Sequence, residues 1–197
     1  MTKQARGEDA MERLLDAALE CVVEHGIHEV TIQHLSARAE MSVGSIYHHF
    51  GDRSGVIFAL YRRCLERMLE AIAGSVLGRR SARAGVRALV EAYLRWVERH
   101  PDEARVIYAI AETELLETRR ADLAALGARV TAPLAAWFAP HVAAGSVIDL
   151  QPGLLEVVLI GPAAEASRRI LGGASGYSFD DAIAVLPDAV WRAVGQT

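Results

Sequence analysis

Apolar residues recur at steps of three and four along almost the whole chain, and this spacing constrains the fold more than any other feature of the sequence. Such a period places apolar side chains on one face of an α-helix. In the first helix that it predicts, Leu14, Ala18 and Val22 share a face, and Gly26 marks the end. No stretch alternates apolar and polar residues for long enough to indicate a strand, and no internal repeat is visible. The sequence therefore predicts an all-α protein.

Short polar side chains predict where the next three helices begin. Thr31, Ser42 and Asp52 each stand just before an apolar helical pattern, where a side-chain oxygen can accept a hydrogen bond from the first turn. The helices after Thr31 and Ser42 are short, whereas the one after Asp52 keeps an apolar face for five turns. We therefore predict an N-terminal three-helix domain, residues 1–53, joined by a long helix to an α-helical domain within residues 54–197.

The rest of the chain continues the helical pattern but contains prolines. The apolar period predicts helices over residues 83–99, 121–142, 152–171 and 178–194. Because proline lacks an N–H and clashes with the preceding turn, we expect Pro133 and Pro140 to interrupt the second of these helices. Pro187 is expected to kink or restart the last one. The helix at 152–171 is apolar on nearly every side through Ile160, so this part requires neighbours on every side.

Residues 31–50 form a pair of helices too short to build a core alone, but they can pack at an angle around a three-residue turn. Packing through Leu35, Ile46 and Phe50 leaves the other face of the second helix outside. A helix of two turns is slim enough for the ~12 Å major groove of DNA. Gly44 lets the backbone approach closely, and Arg53 with the free N–H groups of the next helix forms a phosphate site. The candidate DNA-binding residues are Thr31, Ser42, Val43, Gly44, Ser45, Tyr47, His48, His49 and Arg53.

This stretch resembles the helix-turn-helix signature of the TetR family of bacterial regulators. The residues that match the family's recognition helix are Ser42, Gly44, Ser45, Ile46, Tyr47, His49 and Phe50. Arg53 supplies the basic residue that the family carries three positions later. The chain departs from the signature at Glu40, which replaces a turn glycine, at Ser36, which replaces alanine, and at Arg53, which replaces a more common lysine.

The resemblance implies a fold and a function for the whole chain. Members of the family bind an effector in an all-α C-terminal domain and dimerise through their last two helices. We therefore expect a homodimer that binds double-stranded, pseudo-palindromic operator DNA as a ligand-responsive repressor and is released by a small, largely apolar effector. By the same resemblance, residues 54–197 form the effector-binding and dimerisation domain.

The charge of the N-terminal segment argues against DNA binding. Residues 1–53 carry five basic and nine acidic side chains, a net charge of −4, whereas a phosphate-binding domain usually has the opposite sign. Most of these acids lie in the first predicted helix, which need not face DNA. Residues 31–53 are neutral and contain three histidines.

Several aromatic residues and one acid in the second half are candidates to line an effector pocket, because such pockets are mostly apolar with a few polar anchors. They are Tyr93, Trp96, Tyr108, Glu112 and Trp137. Each of them also fits ordinary packing in a helical core, and that interpretation stays open.

Two other functions also stay open. One is an all-α enzyme that uses a C-terminal cavity, although we find no Ser/His/Asp, Cys/His or phosphate-loop pattern and expect no catalytic residue. The other is a DNA-binding regulator without an effector. Because His48 and His49 point about 100° apart on a helix, we expect no metal site there, and we expect no cofactor. No secretory signal is visible and no apolar run approaches ~20 residues, so we expect a cytoplasmic protein with no membrane partner.

Overall fold

The computed structural model describes residues 3–111 and 115–196. Within these ranges the chain forms ten helices: α1 (Lys3–His25), α2 (Ile32–Ala39), α3 (Val43–Phe50), α4 (Arg53–Val76), α5 (Ala82–Arg99), α6 (Pro101–Ala111), α7 (Leu115–Thr118), α8 (Arg120–Ala143), α9 (Pro152–Leu171) and α10 (Phe179–Val194). The only extended pairing in the described ranges is an isolated bridge between Val147 and Gly195. The prediction of an all-α fold is confirmed.

The helices form two compact units. The first contains Met1–Leu65 and Asp102–Arg120, and the second contains Glu66–Pro101 and Ala121–Thr197. Each unit consists of two separate stretches of the chain, and α4 contributes residues to both units. The domain boundary expected after residue 53 stays a prediction.

The first unit is built around α1 to α4. Helix α1 packs on α2, and α2 packs on α3. Each of the four helices supplies at least one completely buried aliphatic side chain, among them Leu14, Leu35, Ile46 and Leu60. Burying an aliphatic side chain of this size stabilises the folded state by about 1.5–3 kcal/mol. This core holds the short helices α2 and α3, which could not be stable in isolation.

The second unit is organised around α5, α9 and α10, which pack against one another. A stripe of completely buried residues at Val86, Val90 and Leu94 gives α5 its inner face. Helix α8 also meets α5, because the Trp137 ring lies directly over Gly85, where a Cβ atom would come within 1.9 Å of the ring. Only glycine leaves room for this contact.

The prolines do not break the helices as the sequence suggested. Helix α8 runs through both Pro133 and Pro140, and α10 runs through Pro187 without restarting. The expected interruption of the helix at 121–142 is therefore wrong. Pro133 and Pro140 are exposed, so water can replace the backbone hydrogen bond that each one removes. None of the described helices is both long and apolar enough to cross a bilayer.

Candidate functional site

Two reciprocal hydrogen bonds fix the start of α2. Thr31 has an extended backbone, and its Oγ1 accepts a hydrogen bond from the N–H of His34 at 3.2 Å. In return, Nδ1 of His34 accepts from the N–H of Thr31 at 3.4 Å. An imidazole thus completes a capping box in which the second side chain is usually that of glutamate or glutamine. The capping role predicted for Thr31 is confirmed.

Ser36 and Glu40 hold the turn between α2 and α3. Glu40 adopts a left-handed conformation, with φ 50° and ψ 40°, and its N–H donates to the Ser36 carbonyl. The Ser36 hydroxyl donates to the carbonyl of Met41 at 2.7 Å. A left-handed residue other than glycine costs about 1–2 kcal/mol. The extra hydrogen bond from Ser36 offsets part of that cost, so the two departures from the family signature act on the same turn.

Helix α3 starts at a second side-chain cap. The Ser42 Oγ accepts a hydrogen bond from the N–H of Ser45 at 3.2 Å, which confirms the predicted cap. Gly44 is exposed, and a Cβ added there would meet nothing within 4 Å. Ile46 is completely buried, and α3 packs on α2. The first turn of α3 is therefore held on its buried side by the core, and its other side is exposed to solvent.

The outer face of α3 carries four of the side chains predicted to meet DNA. Val43 is 37% exposed and Tyr47 is 50% exposed. His48 and His49 are exposed too, and their rings meet edge to face with centroids 5.1 Å apart. An apolar group, a phenol and two imidazoles on one short helix suit both base edges and phosphate oxygens.

Arg53 is placed differently from the phosphate contact expected of it. Its half-buried guanidinium donates from Nε to the carbonyl of Val30 and from Nη2 to the carbonyl of Ile27. Both carbonyls lie in the loop between α1 and α2, 23 and 26 residues earlier in the chain. Arg53 thus ties the start of α4 to the loop that leads into Thr31. Its direct contact with DNA stays a prediction.

Two arginines bind acidic residues of α1. Nη1 of Arg63 on α4 donates to Glu12 at 3.1 Å and to Asp16 at 2.8 Å. Arg38 on α2 donates to Glu24, and this hydrogen bond lowers the pKa of the Glu24 carboxyl. The Arg38 pair is largely exposed and adds little stability, whereas the Arg63 side chain is mostly buried against exposed carboxylates. These ion pairs do neutralise part of the acidic helix whose charge argued against DNA binding.

The second unit contains an apolar cavity of about 240 Å³ between α4, α5, α8 and α9. Its lining includes Leu69, Ile72, Leu89, Leu134, Phe138 and Leu159. The sequence analysis did not single out these residues. The signal for them was the unusually complete apolar surface of α9, because such a helix needs more partners than one core face provides.

The residues predicted to line an effector pocket lie elsewhere. Tyr93 and Trp96 are buried in α5, and Trp137 packs on α5 and donates from Nε1 to the Arg79 carbonyl at 3.0 Å. Tyr108 is half-buried in the first unit, and Glu112 lies outside the described residues. None of the four described residues borders the apolar cavity. Their role in ligand binding stays a prediction.

The helix-turn-helix region matches a known family model. Residues 14–60 match the model of bacterial regulatory proteins of the tetR family. The match begins in α1 and ends in α4, so it includes both caps, the turn and the whole of α3.

Curated relatives match part of the chain. The HTH-type transcriptional repressor Rv1474c of Mycobacterium tuberculosis is 41% identical over 56 residues, which cover 28% of this chain and 30% of that protein. The HTH-type transcriptional repressor AcnR of Corynebacterium glutamicum is 34% identical over 64 residues, which cover 32% of this chain and 34% of that protein. The chain thus matches about a third of the length of these relatives.

Similarity to solved structures extends over the whole chain. A TetR family transcription regulator from Marinobacter aquaeolei superimposes with a TM-score of 0.79 at 18% identity, covering 98% of this chain and 100% of that one. At this identity the similarity shows that the fold is shared. Residues 14–60 therefore match the tetR family model, and the described chain shares the fold of that TetR family regulator.

Proposed function

We propose that this protein is a transcriptional repressor that binds operator DNA as a homodimer and releases it when a small apolar effector binds. The exposed face of α3, with Val43, Tyr47, His48 and His49 on a buried anchor, is the observation that carries the proposal. Both curated relatives described above are named transcriptional repressors, which supports it.

Operator recognition follows from the size of α3 and from two-fold symmetry. A dimer presents two copies of α3 about 34 Å apart, which matches successive major grooves on one side of DNA and a pseudo-palindromic site. We expect the protein to shift a fragment from the region upstream of its own gene at low salt in a gel-shift assay. If no such fragment shifts, autoregulation through this helix is excluded.

Truncating the exposed tyrosine of α3 should weaken DNA binding and spare the fold. We expect Tyr47→Ala to cost about 1–2 kcal/mol of binding free energy, roughly tenfold in Kd, because one polar contact and its ring surface are lost. Since Tyr47 is half exposed, the free energy of unfolding should change by less than about 0.5 kcal/mol. Fluorescence anisotropy and urea titration measure the two effects. Val23→Ala, at an exposed apolar position on α1, is the control and should leave both unchanged.

The dimer is assigned to the outer surface of α9 and α10. Val157 on α9 and Val185 on α10 are 64% and 59% exposed, and Leu154 is exposed one turn before Val157. Val185 also borders a shallow depression between the two helices, which Pro162 lines from α9. Large apolar side chains concentrated on one helical pair mark an interaction surface, and in a symmetric dimer each copy presents the same surface to the other.

A charge placed on this surface should separate the subunits. We expect Val185→Asp to convert the dimer into a monomer at micromolar concentration, because the carboxylate would be buried without a partner. Sedimentation velocity measures the change, and operator affinity should fall with it because the half-sites are then bound independently. Leu77→Asp, at an exposed leucine just after α4, is the matched control. If Val185→Asp stays dimeric, the interface does not include this surface of α9 and α10.

Effector response is assigned to the apolar cavity of the second unit. Leu69 and Ile72, which line it, belong to α4, and α4 begins at Arg53, three residues after α3 ends. A ligand that displaces these side chains would shift α4, the helix that follows the recognition helix α3. The cavity favours this function over a regulator without an effector.

A further inference from the structure

The polar groups of the apolar cavity restrict the charge of its ligand. This inference rests on the proposed function, in which the cavity holds an effector. Among the described residues that line the cavity, only Thr131 and Glu156 carry a polar side chain. The remaining lining is aliphatic or aromatic apart from a glycine.

Both of these lining side chains carry hydrogen-bond acceptors. The Thr131 hydroxyl already donates its hydrogen to the Gly127 carbonyl at 2.7 Å, so only its lone pairs remain for a ligand. Glu156 is an exposed carboxylate at the edge of the cavity and accepts hydrogen bonds when ionised. No lysine, arginine or histidine is among the described lining residues.

We propose that the cavity binds a small apolar cation of the alkylamine class, with its hydrocarbon part between α4, α8 and α9 and its ammonium group at Glu156. An ammonium donates three hydrogen bonds, which fit two acceptor side chains, and its charge is opposite to that of the carboxylate. An apolar carboxylate of the same length would lose its hydration without gaining a donor or a cation, and Glu156 would repel it.

Four arginines of the second unit line a different depression. A more polar groove between α4 and α5 is lined by Arg67, Arg79, Arg95 and Arg99, together with Glu70 and Glu91. None of these residues borders the apolar cavity. The two depressions therefore differ in the charge of their lining residues.

The test compares n-octylamine with n-octanoate, two probes of equal chain length and opposite charge. Isothermal titration of the full-length protein at neutral pH should give an octylamine Kd at least tenfold lower than the octanoate Kd. Glu156→Gln should remove that difference by weakening octylamine binding about tenfold. Glu165→Gln on the same helix, whose carboxylate does not border the cavity, should leave octylamine binding unchanged.

A second variant locates the binding. Ala135 is an exposed residue of α8 that lines the cavity, so Ala135→Phe fills it from the surface and should abolish octylamine binding while the thermal unfolding midpoint stays near that of the parent protein. Equal or tighter binding of octanoate, an unaffected Glu156→Gln variant, an unaffected Ala135→Phe variant, or binding of neither probe overturns the proposal.

Gel-shift assays with each probe separate this inference from the proposed function. If octanoate rather than octylamine binds and releases DNA, the ligand class is wrong and the effector-responsive repressor stands. If octylamine binds as expected but no probe changes a DNA shift, the ligand class stands and effector release is wrong. If the protein shifts no DNA at all, the failure lies with the proposed function.

Discussion

Replacing Gly55 with alanine should destabilise the protein by about 2–3 kcal/mol, although the same change inside a helix usually stabilises. Gly55 lies in the first turn of α4, and a Cβ added there would stand 1.9 Å from the Phe50 carbonyl oxygen and 3.0 Å from its carbon. Both atoms are backbone, so the side chain cannot find room by rotation. The end of α3 must move, and forced displacement in a packed region typically costs 1–3 kcal/mol or more.

A second glycine in the same helix provides the control. A Cβ at Gly74 would meet nothing within 4 Å, so Gly74→Ala should stabilise the protein by about 0.5–1 kcal/mol through helix propensity. Urea denaturation measures both variants, and a shared m-value shows that the midpoints report stability. Because Phe50 ends the recognition helix, Gly55→Ala should also weaken DNA binding. A Gly55→Ala protein as stable as Gly74→Ala would show that the α3–α4 connection is not tight.

Removing Arg53 should weaken DNA binding without changing its salt dependence. The guanidinium donates to two carbonyls of the α1–α2 loop, and Arg53→Ala leaves both without that partner. Hydrogen bonds to a charged group are worth about 1.5–3 kcal/mol each, and partial exposure reduces this, so we expect a loss of about 2–3 kcal/mol in the free energy of unfolding. Thr31 follows this loop directly, so the start of α2 loses its support and affinity falls.

The salt dependence distinguishes this role from a phosphate contact. The slope of log Kobs against log salt is negative, and loss of one cation bound to a phosphate reduces its magnitude by about 0.9. Since the Arg53 guanidinium is occupied by the loop, we expect that slope to stay the same in Arg53→Ala. Arg53→Lys keeps the charge but lacks the planar fork that reaches two carbonyls, so it should bind DNA as weakly as Arg53→Ala.

Exposed Arg62 on the same helix supplies a matched control. Arg62→Ala should change the free energy of unfolding by less than about 0.5 kcal/mol. If the salt slope becomes shallower in Arg53→Ala and Arg53→Lys binds DNA like the wild type, Arg53 contacts a phosphate, as the sequence predicted.

The features that the sequence predicted well depend on neighbours in the chain. The caps at Thr31 and Ser42 use backbone groups three residues ahead, so residue type and spacing are enough to identify them. The bonding partners of Arg53 are more than twenty residues away, and no local pattern reveals them. The resemblance identified the position of Arg53 but not the bonds that its side chain makes.

The second unit was less predictable for the same reason. Helical periodicity placed Trp137 on a helix, but its position over Gly85 depends on how α8 meets α5. The cavity is likewise formed by four helices from separate parts of the chain. Proline also predicted helix ends less well than expected. Pro133 and Pro140 lie on the exposed side of α8, where losing a backbone hydrogen bond costs little free energy because water can replace it.

The left-handed glutamate in the turn also bears on how long the protein stays on DNA. Glycine at position 40 would relieve about 1–2 kcal/mol of backbone strain, but it would gain about 0.5–1 kcal/mol of disorder in the unfolded chain. The two effects oppose each other, so the net change in stability is small. A carboxylate three residues before α3 would be repelled by the phosphate oxygens of bound DNA. If α3 binds DNA as proposed, we therefore expect Glu40→Gln to dissociate from the operator more slowly than the parent protein in a stopped-flow measurement.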